Sequence, residues 1–386
     1  MANVERIKGG GIDHHDITKI LLIQFGDLGD VIVTFPCLRA LKECFPDAVL
    51  VMAVHEKAKD LALGCQWVDD ILAIEQPGGS MLRRLRHNLQ FALMVKRQRY
   101  DLVFDLRTGD RSAILTLLTG AAQRVSFYGK YNTLWRNRIY SHLVYPDKSP
   151  DLHMVDYYLS LLNAYGIDTR YRLPTYHVAE KHARETTRLF QTHGIEPVGG
   201  LIAYHPFSLW DYKSWAEEKH AGIIDWMVRR FKVSVIITGT AAQHGSAEAI
   251  SNRCRKDVHN IAGKTPLALL PAILERCDVS MGVDTAGGHI AAAVGTPTIT
   301  LFGPGNFFQW APMAKHGKIV HKHWDCVPCK QMGCDGNRKS RCLDELTVAE
   351  VKSDIEDFLT DIFSSKRRIR NPRQAGQGRT DETHAE

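Results

Sequence analysis

The chain alternates short apolar runs with amphipathic stretches, and it goes through that alternation twice. KILLIQF (19–25), AVLVMAV (48–54), DDILAIE (69–75) and YDLVFDL (100–106) read as strands, separated by a helix at 31–44, a short helix near 56–63 and a basic helix at 81–98. Strands that are apolar without alternation are buried on both faces, and the helices between them are the crossovers that parallel strands need. After residue 175 the pattern starts again. It runs through a helix at 179–193, GLIAYHP (200–206), a helix at 214–230, KVSVIITG (232–239) and a helix at 243–253. VHNIAG (258–263), a helix at 266–275, DVSMGVD (278–284), a helix from Gly287 to Val294 and TPTITLFGP (296–304) complete it. Two Rossmann-like α/β domains with mainly parallel sheets, joined near 170–180, fit this restart better than one extended sheet.

A length of 386 residues is comfortable for two domains. The expected divisions are an N-terminal tail (1–17), a first domain (18–175), and a second domain (176–346) holding a Cys-rich loop (324–342). A C-terminal helix over 347–364 begins with the capping box Thr347–Glu350 and is expected to pack across the domains. The Gly/Gln/Arg-rich stretch 365–386 reads as a disordered basic tail.

The longest apolar runs are strand-sized, so none can span a bilayer. The first residues, MANVERIKGGGIDHHD, lack an apolar signal core, which places the chain in the cytoplasm unless a partner carries it elsewhere. Net charge is +6, part of it in the tail and part in MLRRLRH (81–87). That basic run is either a solvated helix face or a patch for an acidic substrate or an anionic membrane.

Four segments carry chemistry. The turn Gly26-Asp27-Leu28-Gly29-Asp30 joins a strand to a helix, where an open α/β sheet binds ligands. It has too few glycines and too much negative charge to wrap a pyrophosphate. One aspartate caps the helix, and the other faces the cleft as a general base that accepts a proton late, as a hydroxyl attacks. The stretch GVDTAGGHIAAAV (282–294) ends a strand at Asp284 and opens a helix with Gly287 and Gly288, leaving N–H groups uncovered for an anion beside His289. The diphosphate is expected there. In HPFSLWDYKSW (205–215), Lys213 is a point charge for phosphate. Finally Cys326, Cys329, Cys334 and Cys342, spaced C-x2-C-x4-C-x7-C, suit a structural zinc or iron. The zinc-knuckle reading is set aside because the aromatic platforms that nucleic acid needs are sparse.

Taken together these segments resemble glycosyltransferase family 9, the ADP-heptose:lipopolysaccharide heptosyltransferases, over residues 18–362. The resemblance rests on ILLIQFGDLGDVIVTFPCLRAL, YDLVFDLRTGDRSAILTLLTGA, HPFSLWDYKSW, IAGKTPL, GVDTAGGHIAAAVGTPTITLFGP and DCVPCKQMGC with RCLDELTVAEV. It implies a GT-B fold, two Rossmann-like domains facing a central cleft, with acceptor on the first and nucleotide sugar on the second. It also implies an inverting transfer of a heptose from an ADP-sugar to a lipopolysaccharide core, with no divalent metal required as cofactor. By motif position Asp30 is the general base, and Lys213 holds the diphosphate and stabilises the leaving nucleotide. Ser208, Asp284, Thr285, Ala286, Gly287, Gly288 and His289 complete the donor pocket, while Asp27 lies where members vary. The arginines Arg83, Arg84, Arg86, Arg107 and Arg111 would suit a phosphorylated acceptor. The family's commoner D-T-G-P-x-H here reads Asp-Thr-Ala-Gly-Gly-His at 284–289. Backbone N–H binding survives both changes, whereas loop shape and nucleotide preference are open to them. A different nucleotide sugar, a protein acceptor, or a non-catalytic binding role on the same fold are the rival readings.

Overall fold

The structure, a computed structural model, describes residues 4–370 apart from 76–79, 130–133, 148, 198 and 255–256, and gives the backbone alone for 81–87, 134 and 365–370. Seven strands form the first sheet: β1 (Arg6–Lys8), β2 (Lys19–Ile23), β3 (Val49–His55), β4 (Asp70–Ile74), β5 (Leu102–Asp105), β6 (Gln123–Phe127) and β7 (His142–Val144). Their order is β1-β7-β6-β5-β2-β3-β4, and every pair is parallel except β1 on β7. The second sheet holds β8 (Leu201–His205), β9 (Ser234–Ile237), β10 (Val258–Asn260), β11 (Val279–Val283), β12 (Thr298–Phe302) and β13 (Gly317–His321). Its order is β10-β9-β8-β11-β12-β13, parallel throughout.

The continuous apolar strands behave as their composition requires. In β2, Ile20 and Leu22 enter one core cluster while Leu21 and Ile23 enter another on the opposite face. Strand order reverses beside β2 in the first sheet and beside β8 and β11 in the second. Crevices at the carboxyl ends of such strands are where open α/β sheets hold ligands. The turn bearing Asp30 follows β2, the loop bearing Lys213 follows β8, and Asp284 follows β11.

The two halves share apolar packing. The largest core cluster runs from Leu22, Val31 and Leu38 through to Ile290, Ala291 and Ala293 of the second half. Backbone hydrogen bonds cross the junction from Tyr176 N–H to Ala293 O (2.9 Å) and from His177 N–H to Gly64 O (2.8 Å).

Three expectations are corrected. The N-terminal tail contributes β1 to the sheet edge and buries Ile12. The helix expected at 31–44 starts at Leu28 and is broken at Thr34 into Leu28–Val33 and Phe35–Cys44. Pro36 stands in the first turn of the second piece, where its missing N–H costs nothing. The C-terminal helix runs over Val348–Arg370, past the expected start of the tail, and 371–386 lie outside the described residues. Val351, Ile355, Leu359 and Phe363 of that helix sit in the core of the second sheet, beside the helix Glu217–Phe231, where packing across both domains was expected.

Candidate active site

The turn after β2 is shaped around the Asp30 carboxylate. Buried Gln24 anchors it, accepting from Gly26 N–H at 3.1 Å and donating to Thr34 Oγ1 at 2.9 Å. A Cβ on Gly26 would lie 2.4 Å from Asp30 Cγ, so this glycine makes room for the carboxylate itself. Asp27 occupies the N-cap position and points outward, its Oδ1 2.7 Å from Lys57 Nζ and its side chain 69% exposed. Asp30 lies one turn on, with 13% exposure. Its Oδ2 accepts from Asp27 N–H at 2.9 Å, and its Oδ1 accepts from Tyr158 Oη at 2.7 Å and Arg107 Nη1 at 3.3 Å. The two aspartates share a capping box, which Asp30 Oδ2 closes on the Asp27 N–H, but only Asp30 is turned inward.

Beside Asp30 lies a pocket of about 550 Å³, within the range of small-molecule sites. Phe25, His55, Arg107, Arg111, Tyr157 and Tyr158 are among its lining residues. Arg107 is set by a buried scaffold. Its N–H donates to Asp105 Oδ1 (2.8 Å), and its carbonyl accepts from Arg136 Nη2 (2.8 Å). Asp105 and Arg136 are fully buried, 3.9 Å apart, and Tyr140 Oη also donates to Asp105. Burial raises the Asp105 carboxyl to about 6, against the pull of Tyr140, Ser112, the Arg107 N–H and Arg136.

In the second half, Lys213 stands in the short turn Asp211–Lys213, and its Nζ donates to Asp284 Oδ2 at 2.6 Å. Burial raises the Asp284 carboxyl, and Lys213 works against that rise. Thr285 caps the helix Ala286–Ala293, yet its buried Oγ1 has no protein partner. That orphan hydroxyl sits at a helix N-terminus whose first N–H groups are free for an anion. A Cβ on Gly288 would lie 2.9 Å from Pro312 Cγ, whereas one on Gly287 would only touch the His205 ring at 3.5 Å. His289 is buried, and burial drives its imidazole down to about 3, so it is neutral. Ser208 lies on the same loop as Lys213, its Oγ accepting from Trp210 N–H at 3.1 Å.

The turn and the donor loop touch. A Cβ on Gly29 would come within 3.2 Å of His289 Cδ2, and His153 Nε2 lies 2.9 Å from Ala311 O across the same junction. Arg107 and Arg111 therefore line one pocket, which Asp30 adjoins through its bonds to Arg107 and Tyr158. Lys213 and Asp284 pair beside the helix start Ala286–Ala293, whose His289 meets the Asp30 turn at Gly29. The side chains of Arg83, Arg84 and Arg86 lie outside the described residues.

Sequence reasoning missed Tyr158, Tyr157, His55 and the Asp105–Arg136 pair. A signal for Tyr158 does exist: Val155, Tyr158, Leu159 and Leu162 recur at helical spacing in Met154–Asn163, which puts one hydroxyl into an apolar stripe. The four loop cysteines are all free thiols, Cys326 exposed, Cys329 and Cys334 half-buried and Cys342 buried. Among the described residues no group of three or more His, Cys, Asp or Glu is arranged to hold a metal ion, so the loop presents no preformed coordination shell.

Comparison with known proteins agrees with this architecture. The sequence model of glycosyltransferase family 9 (heptosyltransferase) matches residues 88–339. Lipopolysaccharide heptosyltransferase 3 of Escherichia coli K12 is 27% identical over 292 residues, covering 75% of this chain and 83% of that protein. Among solved structures, a family 9 glycosyl transferase from Veillonella parvula superposes with a TM-score of 0.76 at 19% identity, over 90% of this chain and 98% of its own. The E. coli ADP-heptose lipopolysaccharide heptosyltransferase II superposes at 0.72 and 18% identity, over 91% and 100%.

Proposed function

The chain belongs to glycosyltransferase family 9, and from that premise we propose that it moves a heptose from ADP-heptose to a lipopolysaccharide core, at or near the inner membrane surface. The relatives named for that reaction supply the donor and acceptor class. The observation that carries the reading is the contact between Gly29 and His289, because it sets the Asp30 turn against the 284–289 loop as a single displacement requires.

The acceptor hydroxyl enters the pocket beside Asp30, with Arg107 and Arg111 meeting acidic groups on the acceptor. Its oxygen attacks the anomeric carbon from the face opposite the diphosphate, so the C–O bond to the leaving phosphate breaks as the new glycosidic bond forms. The proton passes to Asp30, whose Oδ2 accepts a single backbone donor and keeps a lone pair for it. The bonding electrons leave with the nucleotide diphosphate. The Lys213 ammonium and the first N–H groups of Ala286–Ala293 meet that growing charge, and Thr285 Oγ1 gains its missing partner. Lys213 keeps its bond to Asp284, which holds the ammonium in place, and offers another N–H to the phosphate. No step passes through the cysteine loop.

Incubation with ADP-heptose and a heptose-deficient core acceptor should release ADP only when both are present, with inverted configuration at the new bond. Acceptor-dependent turnover of a different nucleotide sugar, and none of ADP-heptose, would move the assignment within the family. The absence of turnover with any donor in a panel would leave a non-catalytic binding role.

A further inference from the structure

We infer that the outer faces of the helices Met81–Arg97 and Asp110–Thr119 form a docking surface for an anionic phospholipid bilayer, beside the mouth of the acceptor pocket. Both helices cover the same side of the first sheet: Phe91 and Val95 from one, and Leu115 and Leu118 from the other, pack into one core cluster with β2 and β5. Their opposite faces carry large apolar side chains with no core to enter. Leu89 and Leu93 are 61% and 47% exposed on the first helix, and Ile114 and Leu117 are 49% and 56% exposed on the second. The two helices are packed side by side, so these residues belong to one surface. Exposed apolar residues grouped in this way mark an interaction site.

Charge selects the occupant. The first helix has five Lys or Arg residues over Met81–Arg97 and no Asp or Glu, and Lys96 and Arg97 are exposed beside Leu93. Exposed apolar side chains next to basic ones, on a helix without acidic residues, are what an interfacial helix offers to lipid headgroups. Position supports the same occupant. Arg111, Ile114 and Leu117 follow one another at helical spacing, and Arg111 also lines the pocket. A lipid-anchored acceptor would therefore reach Asp30 along the helix that meets the bilayer. This orientation rests on the proposed acceptor, whereas the surface itself does not.

The test is co-sedimentation of the full chain with vesicles of phosphatidylcholine, alone or mixed with an equal amount of phosphatidylglycerol. The chain should pellet with the mixed vesicles and not with phosphatidylcholine alone. Lys96→Glu/Arg97→Glu and, independently, Leu89→Ser/Leu93→Ser should each weaken that binding at least about tenfold, while turnover on a delipidated core acceptor stays at the parent rate. Native chain that ignores anionic vesicles, or variants that bind like the parent, would overturn the inference. So would a leucine variant that splits a dimer in sedimentation velocity without changing vesicle binding, since the surface would then belong to a second copy. If the parent turns over no acceptor yet loses vesicle binding in both variants, the proposed reaction falls and the docking surface stands.

Discussion

Tyr158 Oη donates to Asp30 Oδ1 across 2.7 Å, joining residues 128 positions apart in the sequence. Tyr158 is buried, and its phenol is pushed up by that burial and by the adjacent carboxylate, so it stays a donor. One carboxylate oxygen is thereby occupied by Tyr158 and Arg107, while the other accepts from the Asp27 N–H. Asp30→Asn should lower kcat by about 10²–10⁴ with donor affinity intact, as loss of a general base does. Tyr158→Phe keeps the base and loses only its orientation, so kcat should fall by about tenfold. Steady-state kinetics with a binding isotherm for the donor separate the two, and near-normal turnover in Asp30→Asn would falsify the role of the base.

Lys213→Ala should act on the other substrate. It removes the ammonium proposed to meet the diphosphate and leaves Asp284 buried without its partner. Donor affinity should weaken and kcat should fall by about 10²–10³, the usual cost of losing a charge aimed at a leaving group. Unchanged Kd and kcat would remove Lys213 from the donor site.

Two adjacent glycines in the donor loop predict opposite responses. Gly288→Ala forces a Cβ to 2.9 Å from Pro312 Cγ, so it should cost about 1–3 kcal/mol through overpacking. Gly287→Ala meets only ordinary contact with His205, and a helical alanine gains about 0.5–1 kcal/mol over glycine. Thermal melting of both variants should therefore bracket the parent. Equal losses in the two would mean that backbone shape, not side-chain space, sets the loop.

Stability should fall as pH drops below about 6.5, the ordinary histidine value. His220 and His289 are buried and held down to about 3, and buried His205 to about 4, so the unfolded chain binds their protons well before the folded one does. Each such proton contributes about 1.4 kcal/mol per pH unit. Asp105, raised to about 6, works in the opposite direction between its unfolded and folded values and offsets about one of the three. The net slope is about 2–3 kcal/mol per pH unit between pH 6 and pH 4. Urea midpoints across that window measure it, and a flat profile would show that the imidazoles gain water in the fold.

The cysteine loop carries a proposal separate from catalysis. Cys326, Cys329, Cys334 and Cys342 supply four thiols from one loop, a donor set suited to zinc or iron. Binding would have to draw them together, because the loop is not arranged as a coordination shell. Elemental analysis of purified protein should find about one equivalent per chain. Less than about a tenth of an equivalent removes the metal and leaves reduced thiols.

The parts legible in the sequence share a physical reason. Strands such as β2 and β11 are buried on both faces, so their composition alone marks them, and glycine and acid at their carboxyl ends mark the ligand turns. Asp30, Lys213 and Asp284 could be read because each lies in the segment that follows the carboxyl end of a buried strand. Arg136 could not, and Tyr158 shows only as one hydroxyl in an apolar stripe. They act from distant helices, and their polar atoms are hidden in apolar or basic stretches that have ordinary structural uses. The edge strand β1 is three exposed residues, Arg6-Ile7-Lys8, that pair because β7 leaves an open edge. The turn-initiating role of Asp27 was readable as a cap, but which aspartate faced inward depended on the room left by Gly26.

The core that continues from Val31 and Leu38 into Ile290 and Ala291 limits how this protein can diversify. A donor half cannot be exchanged as a cassette between relatives, because the cut would strip apolar surface from both pieces. On the proposed reaction, new donor preference has to arise by substitution in place, and the 284–289 loop, held against the first half at Gly29, is the stretch open to it.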